Sequence, residues 1–454
     1  MIRVDIGLDS LDTPITGCTT HFAFFLLLHI RKKYGDKIEL VDYPNLVRLN
    51  PNIPWKTRGN AAVVLRTRMK EDIVEDVIKD TLSLAEAYVG DLKNSSAGIA
   101  FYIGDSWQST IIRQLYILAL TDVVDYSLIN DLEKKNLVIV PEEVHGHQGV
   151  IGAVAAMGGL RWGDDYTYEL IAYRYAEKIC SKRIVDKDKV REIDEKYTSI
   201  FASYDPYEDE IAITPRGCDP VLYGIRGDDP KELEKAAEIL RRHGENPLGW
   251  LIYRTNQATD AHQENQYHQQ PLPYRVIWKP LVIISTPKTL PGGHIVLEAI
   301  GNIGRKYRIM VYRETGILRD YTRILRPGDK ILAYMSAKPS SNHTLILSIE
   351  KLFIKKITST TKIRNPKCPQ CGHTMKSRGK EKGYKCPKCG FILQKGRKII
   401  EITEDRLLPS IITPNTTRIR HLIKPVERIA DNRGKLPGSP GTLMMELTGG
   451  LTTP

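Results

Sequence analysis

The chain has 454 residues, 41% hydrophobic and 26% charged, with a net charge of +12. That length suits three or four globular domains, and the ordinary balance excludes disordered and fibrous classes. The longest apolar run near the N-terminus, Phe22 to Leu28, is far too short to span a bilayer and no signal peptide is evident, so a soluble cytoplasmic protein with no membrane partner is expected.

Residues 2–8 read as a strand, followed by a loop rich in Asp, Thr, Pro and Gly. A helix is expected from about Thr19 to Tyr34, because Phe22, Phe25, Leu26 and Ile30 recur at helical spacing. A second helix is expected over Glu71–Tyr88, with Val74, Val77, Ile78 and Leu82 on one stripe, and a third around Ser109–Leu120. Together these predict an α/β unit over residues 1–140.

Residues 141–258 give a clearer order. Strand candidates Tyr168–Arg174, Ile211–Ile213, Val221–Ile225 and Trp250–Tyr253 alternate with a charged helical stretch at Lys187–Lys196 and a helix opened by Asp229-Pro230. Asp229 suits an N-cap, Pro230 the first turn, and Glu232 the positive end of the helix. The order βαββαβ predicts a ferredoxin-like fold. Residues 259–273 lack apolar periodicity and read as a linker. About five strand candidates then run from Val276 to Phe353, broken at Pro291-Gly292-Gly293 and Arg326-Pro327-Gly328, which predicts an OB-fold barrel over 274–355.

A zinc ribbon is expected over 363–396. Cys368 and Cys371 form one CxxC knuckle, and Cys386 and Cys389 form another after fourteen residues. Two such knuckles deliver four thiolates to a tetrahedral zinc, and Gly372 and Gly390 suit the sharp reversals. From Lys355 to Lys398 there are fourteen Lys or Arg residues against one acid, Glu381. Charge this local points to a nucleic-acid backbone. Cys18, Cys180 and Cys218 remain, an odd and scattered set that argues against a disulfide framework. The tail, 397–454, carries Arg418, Arg420, His421, Lys424 and Arg428 among few acids, and its last dozen residues are expected to be mobile. The class is α+β and multidomain.

The first strand leads into Asp9-Ser10-Leu11-Asp12, and Gly17-Cys18-Thr19-Thr20 opens the first helix. A helix start favours phosphate, Gly17 permits close backbone approach, and the hydroxyls of Thr19 and Thr20 can bond at the same point. Asp9 and Asp12 can hold Mg²⁺ against phosphates. By local pattern alone, the threonine is equally an N-cap and the aspartates turn residues. Residues 50–60 place Trp55, Lys56 and Arg58 between prolines and glycine, where Trp55 can stack a base and the two cations can meet phosphates. A rigid loop with a core Trp reads as well. The turn His145–Gly152, with His147, Gln148 and Gly149, could admit a ligand to the backbone, although nothing adjacent completes a metal site.

Taken together, Ile6–Asp12, Gly17–His21, Arg48–Asn60, Gly146–Gly152, Pro215–Arg226 and Tyr253–Asp260 resemble the archaeal agmatine–tRNA(Ile) ligase family, the tRNA(Ile2) 2-agmatinylcytidine synthetases. The resemblance implies a kinase-like first domain followed by the three units above. It implies joining agmatine to the wobble cytidine of the isoleucine tRNA with a CAU anticodon, using ATP. DNA is not an expected partner. Cytosine C2 is a poor electrophile, so its oxygen would first be phosphorylated and the amine of agmatine would then displace phosphate. By that resemblance Asp9 and Asp12 hold Mg²⁺, and Thr19 is the residue phosphorylated in the family. Gly17, Thr20, Lys56 and Arg58 would contact ATP, and Trp55, His147, Gln148, Gly149 and Asp219 would serve the cytidine and agmatine. The family often has two adjacent acids after the first strand, where this chain has Ser10. A non-catalytic OB-fold and ribbon protein gripping nucleic acid is the competing expectation.

Overall fold

The computed structural model describes residues 1–13, 15–57, 59–263, 270–340, 344–403 and 406–430. Arg58 and the last dozen residues lie outside the described residues.

The first unit contains β1 (Ile2–Asp9), α1 (Thr19–Tyr34), β2 (Ile38–Leu40), β3 (Asn45–Arg48), β4 (Ala61–Met69), α2 (Val74–Val89), β5 (Gly98–Ile103), α3 (Thr110–Thr121), α4 (Ser127–Lys134) and α5 (His147–Ala156). Its main strands pair antiparallel in the order β5-β1-β4-β3. The expected α/β class is therefore corrected to α+β, because alternation of helix and strand along a sequence does not set strand direction. Helix α5 lies directly on this sheet. A β carbon at Gly98 would stand 1.8 Å from the carbonyl carbon of Gly149, and one at Gly7 would stand 2.3 Å from the carbonyl oxygen of Ala153. The glycines of the 146–152 stretch thus let helix and strand backbones touch, while Val150, Ala153 and Val154 fill the core.

The second unit contains β6 (Thr167–Tyr173), α6 (Lys187–Lys196), the two-residue strands β7 (Tyr204–Asp205) and β8 (Glu210–Ile211), β9 (Val221–Gly227), α7 (Pro230–His243) and β10 (Gly249–Thr255). The order β10-β6-β9 is antiparallel, with α6 and α7 covering an apolar face that includes Leu170, Leu222, Ile225, Leu233 and Ala236. Asp229 caps α7 by accepting the Lys231 N–H at 2.9 Å. β10 also pairs in parallel with β3, Arg254 against Asn45 and Thr255 against Leu46. That junction fuses the two units into one eight-stranded sheet.

A closed barrel follows, made of β11 (Val276–Ile283), β12 (Lys288–Thr289), β13 (Ile295–Gly301), β14 (Lys306–Val311), α8 (Ile317–Arg323), β15 (Lys330–Pro339) and β16 (Leu345–Lys356). Five strands run β11-β15-β16-β14-β13, and β13 returns to β11, with β12 as an outlier on β13. Inward residues such as Ile277, Leu297, Ile309, Ala333 and Met335 are sealed from solvent. The ribbon adds three two-residue strands around Cys368, Met375, Tyr384 and Cys386.

Three expectations change. Cys180 and Cys218 form a disulfide, which their separation of 38 residues concealed. The start of the expected linker is buried, with His262 Nε2 3.0 Å from Glu350 of the barrel. Residues 406–430 of the basic tail form a strap whose cations pair with acids of the second unit and the barrel. Arg406 meets Asp329 at 2.6 Å, Arg420 meets Glu350 at 2.9 Å, and Lys424 and Arg428 meet Asp165 at 2.6 and 2.7 Å. Among the described residues, no helix is long and apolar enough to cross a membrane.

The strap gives a graded prediction. Arg428 is nearly buried and also faces Asp228 at 3.2 Å, so Arg428→Ala leaves two acids undercompensated and should cost about 3 kcal/mol in denaturant unfolding. Lys424→Ala, at a more exposed site, should cost about 1 kcal/mol or less. Equal costs would contradict an anchoring role for Arg428.

Candidate active site

β1 carries two buried aspartates of the same sheet face, and their surroundings differ. Asp5 is fully paired. Its carboxylate takes Arg66 at 3.0 Å, Arg3 at 3.0 Å and the Ser106 hydroxyl at 2.7 Å. Asp9, four residues on, accepts the Ser10 N–H at 2.6 Å, and among the described residues no cationic side chain pairs with it. Ser10 sits at φ 54°, a left-handed conformation that folds its amide back on Asp9. Burial pushes the Asp9 carboxyl up to about 8, and the charge of Asp12 adds to the rise. The carboxylate rests against Gly152 of α5, where a β carbon would stand 1.7 Å from Asp9 Oδ2.

The end of β1 separates two cavities. The first, about 300 Å³, is lined by Asp9, Ser10, Trp55, Lys56, Asn60, Gln148 and Gly152. Trp55 is half exposed at its edge, 5.7 Å from the ring of Tyr274. The second, about 570 Å³, is lined by Asp12, Thr19, Thr20, Arg48, Glu169, Asp219, Arg226 and His421, among others. Thr57 lines both, so the cavities adjoin.

Helix α1 opens on the second cavity. Cys18 at its N-cap provides no side-chain cap, and the first turn holds no acid. The Cys18 N–H donates to the Tyr88 hydroxyl at 3.1 Å, and the positive end of the helix carries no acid of its own first turn. Thr19 Oγ1 accepts the Leu11 N–H at 3.1 Å, which leaves the hydroxyl proton for a ligand. The Thr20 carbonyl accepts from the hydroxyls of Tyr173 and Tyr253 at 2.9 and 2.8 Å, a clamp from the second unit onto the helix start. Gly17, at φ 93°, pairs with Asp12 to close the loop before the helix. Arg48 is partly buried beside the cavity, and removal of water from its guanidinium holds it below the usual range. Burial also lowers Lys56, and Arg420 adds to the effect.

The expected site residues divide accordingly. Asp9, Trp55, Lys56 and Gln148 share the first cavity; Asp12, Thr19, Thr20 and Asp219 share the second. Asp219 is additionally engaged with its own turn, accepting the Val221 N–H at 2.9 Å. Three line neither cavity, Gly17 in the loop before α1 and two more on α5. His147 stacks on Tyr126 with ring centroids 4.0 Å apart, and Gly149 is buried against β5, where a β carbon would meet the Ser96 carbonyl oxygen at 2.3 Å. Sequence inspection missed Arg48, Glu169, Arg226, Gln257 and His421. Arg48, Arg226 and Gln257 fall inside the resembling blocks, so a signal existed. Glu169 and His421 gave none, since one reads as a strand residue and the other as part of a basic tail.

The ribbon cysteines meet the demands of zinc. The sulfurs of Cys368, Cys371, Cys386 and Cys389 all lie within 4.8 Å of one another, with separations of 3.4 Å for 368–389 and 371–386. Zinc–sulfur bonds of about 2.3 Å require tetrahedral edges of about 3.8 Å, so small adjustments suffice. For Mg²⁺, Asp9 supplies a buried carboxylate that no cation among the described residues pairs with, and Asp12 a second one nearby.

Asp9 makes the metal-free protein sensitive to pH. The folded carboxyl titrates near 8 against 3.8 unperturbed, so over that window the folded chain keeps a proton that the unfolded chain releases. Its contribution therefore destabilises increasingly as pH rises from about 4 to about 8. Asp9→Asn removes that contribution. In metal-free buffer its melting temperature should exceed wild type at pH 8 and match it near pH 4. Parallel melting curves across this range would contradict the assignment.

Three family models match the chain, described as the TiaS TCKD domain over residues 5–82, the TiaS FLD domain over 147–262 and the TiaS C-terminal zinc ribbon domain over 365–406. The tRNA(Ile2) 2-agmatinylcytidine synthetase TiaS of Staphylothermus marinus is 37% identical, covering 96% of this chain and 95% of that protein. The fold is similar to the crystal structure of a TiaS–tRNA(Ile2)–ATP complex, with TM-score 0.80, 29% identity, and coverage of 96% and 99%. It is also similar to a TiaS–tRNA(Ile2)–AMPCPP–agmatine complex, with TM-score 0.75, 26% identity, and coverage of 96% and 98%. With relatedness of this extent across nearly its whole length, the chain belongs to the tRNA(Ile2) 2-agmatinylcytidine synthetase (TiaS) family.

Proposed function

We propose that this protein joins agmatine to C2 of the wobble cytidine of the isoleucine tRNA with a CAU anticodon, in the cytoplasm, at the expense of ATP. The observation that carries this is the second cavity, where Thr19 and the open end of α1 face Arg48 and Arg226 across a space large enough for a phosphate chain. In this reading residues 1–140 are a kinase-like domain, 141–258 a ferredoxin-like domain, 274–355 an OB fold, 363–396 a zinc ribbon and 397–454 a basic C-terminal tail.

The nucleotide phosphates lie at the helix start, met by backbone N–H groups, the Thr19 and Thr20 hydroxyls and the two arginines. Mg²⁺ held by Asp9 and Asp12 would neutralise phosphate charge there. Cytidine O2 attacks phosphorus and the nucleotide leaves, so the C2 oxygen becomes a phosphate ester. The amine nitrogen then bonds to C2 as the C2–O2 bond breaks, its electron pair leaving on phosphate. Trp55 and Tyr274 offer a stacking edge for a base withdrawn from its stack, with Lys56 on phosphate. Asp219 and Gln148 are the polar groups for agmatine in this scheme. A buried carboxylate such as Glu169 suits a guanidinium at least as well. The ribbon, binding Zn²⁺ through its four cysteines, docks the tRNA backbone with its lysines.

Mass spectrometry of the wobble nucleoside after incubation with tRNA, ATP and agmatine tests this directly. Wild type should yield 2-agmatinylcytidine and consume ATP only with the cognate tRNA. Asp12→Ala should lower the yield by at least about 100-fold. Unchanged activity in that variant would remove Asp12 from the metal site. Separately, Cys371→Ser should release zinc and unfold the ribbon, because metal binding supplies the folding energy of such modules. Its first two units should stay folded while tRNA affinity falls. Zinc retained at full stoichiometry would contradict the four-cysteine site.

A further inference from the structure

The strap delivers an imidazole to the second cavity. Ala258 N–H donates to the carbonyl of His421 at 2.7 Å and Asp260 N–H to that of Leu422 at 2.8 Å, so the strap is pinned by its backbone at this residue and the next. His421 Nδ1 lies 2.8 Å from Gln257 Oε1. The Gln257 amide is oriented from its other end, where its Nε2 donates to the Glu169 carboxylate. An amide whose nitrogen faces a carboxylate must offer its oxygen to its other neighbour. Nδ1 of His421 therefore carries the proton and donates it to Gln257.

That chain of three groups, Glu169–Gln257–His421, leaves the lone pair on Nε2. The Cδ2–Nε2 edge of the ring lies 3.2 Å from where a β carbon of Gly59 would stand, and Gly59 lines the cavity. Glycine at 59 leaves room there for this edge and for the Arg48 guanidinium, whose Nη1 lies 2.4 Å from the same point. The ring remains accessible although it sits deep among Arg48, Arg226 and Lys56, whose charges, led by that of Arg48, hold its proton affinity far below the ordinary value. The group is thus a neutral acceptor of set orientation facing the space that holds Thr19 and Asp12.

We propose that His421 is the general base of the carbon–nitrogen step. The inference rests on the function proposed above. The attacking amine, already free of its first ammonium proton, bonds through its lone pair to C2, and the C2–O2 bond breaks with its electrons leaving on phosphate. One N–H proton of the new C2–N group passes to Nε2. Phosphate bound between Arg48 and Arg226 offsets the charges that suppress the imidazole, so the base strengthens when the phosphorylated substrate is in place. Glu169 and Gln257 are positioning residues, acting through the tautomer of His421.

The test compares full-length wild type, His421→Ala and His421→Gln under single-turnover conditions. The first step is followed as tRNA-dependent ATP consumption without agmatine, and the second as 2-agmatinylcytidine formed after agmatine is added. The second step should fall by about 100-fold or more in both variants, far more than the first, as expected for loss of a general base. Added imidazole should restore the second step at least about tenfold in His421→Ala and not in His421→Gln, whose side chain fills the space. Product formation by His421→Ala within a few-fold of wild type would overturn the inference. So would an equal fall of both steps without imidazole rescue, which would mark a structural role. A wild-type enzyme that makes no product would overturn the proposed function itself, a result distinguishable from either.

Discussion

The parallel contact between β3 and β10 is the constraint on which the site depends. Two rungs, Arg254 on Asn45 and Thr255 on Leu46, turn two units into one sheet. Through that continuity the tyrosines of β6 and β10 reach the first turn of α1, and Glu169 and Arg226 come opposite Thr19 across one cavity. Neither unit contains that cavity alone. The strap adds the third wall, because its ion pairs with Asp165, Asp329 and Glu350 span the second unit and the barrel.

Charge placement separates support from chemistry. Asp5, Arg66 and Ser106 form a satisfied buried network that stiffens the sheet, with Arg66 also stacked 4.2 Å from the ring of Trp107. Asp9 lacks such a partner among the described residues and stays uncharged in the free protein over much of the neutral range. A buried acid left in that state is costly to keep for structure alone and is poised to accept a cation. The second cavity carries both signs, with Arg48, Arg216 and Arg226 on its wall together with Asp12, Glu169 and Asp219. In the proposed function the arginines take the phosphate chain and the carboxylates its metal.

Much of the fold was legible from local pattern. Helices α1, α2 and α7 follow apolar periodicity and capping chemistry, and the barrel strands follow turns at Gly292-Gly293 and Gly328. The ribbon was readable from four cysteines, since ligand spacing is a short-range property. What escaped was long-range. Strand direction in the first unit depends on pairing partners far apart in sequence. The Cys180–Cys218 bond and the strap contacts join segments whose neighbours give no hint of each other. The same limit divides the site. Asp9, Asp12 and Thr19 are close in sequence and stood out there as candidates, whereas Glu169, Gln257 and His421 become one chain of hydrogen bonds only after folding. Gly149 shows a different failure. A glycine that admits a ligand and one that admits a helix against a strand look alike in sequence.

The central claim is that phosphate binds where α1 opens between Thr19 and the arginine pair. The most direct measurement is a crystal structure of the full chain with a non-hydrolysable ATP analogue and Mg²⁺. The account predicts phosphate oxygens within about 3 Å of the first-turn amides of α1, with Arg48 or Arg226 on the same oxygens and the metal on Asp9 or Asp12. A nucleotide seated elsewhere, with the Asp9–Thr20 stretch untouched, would contradict it.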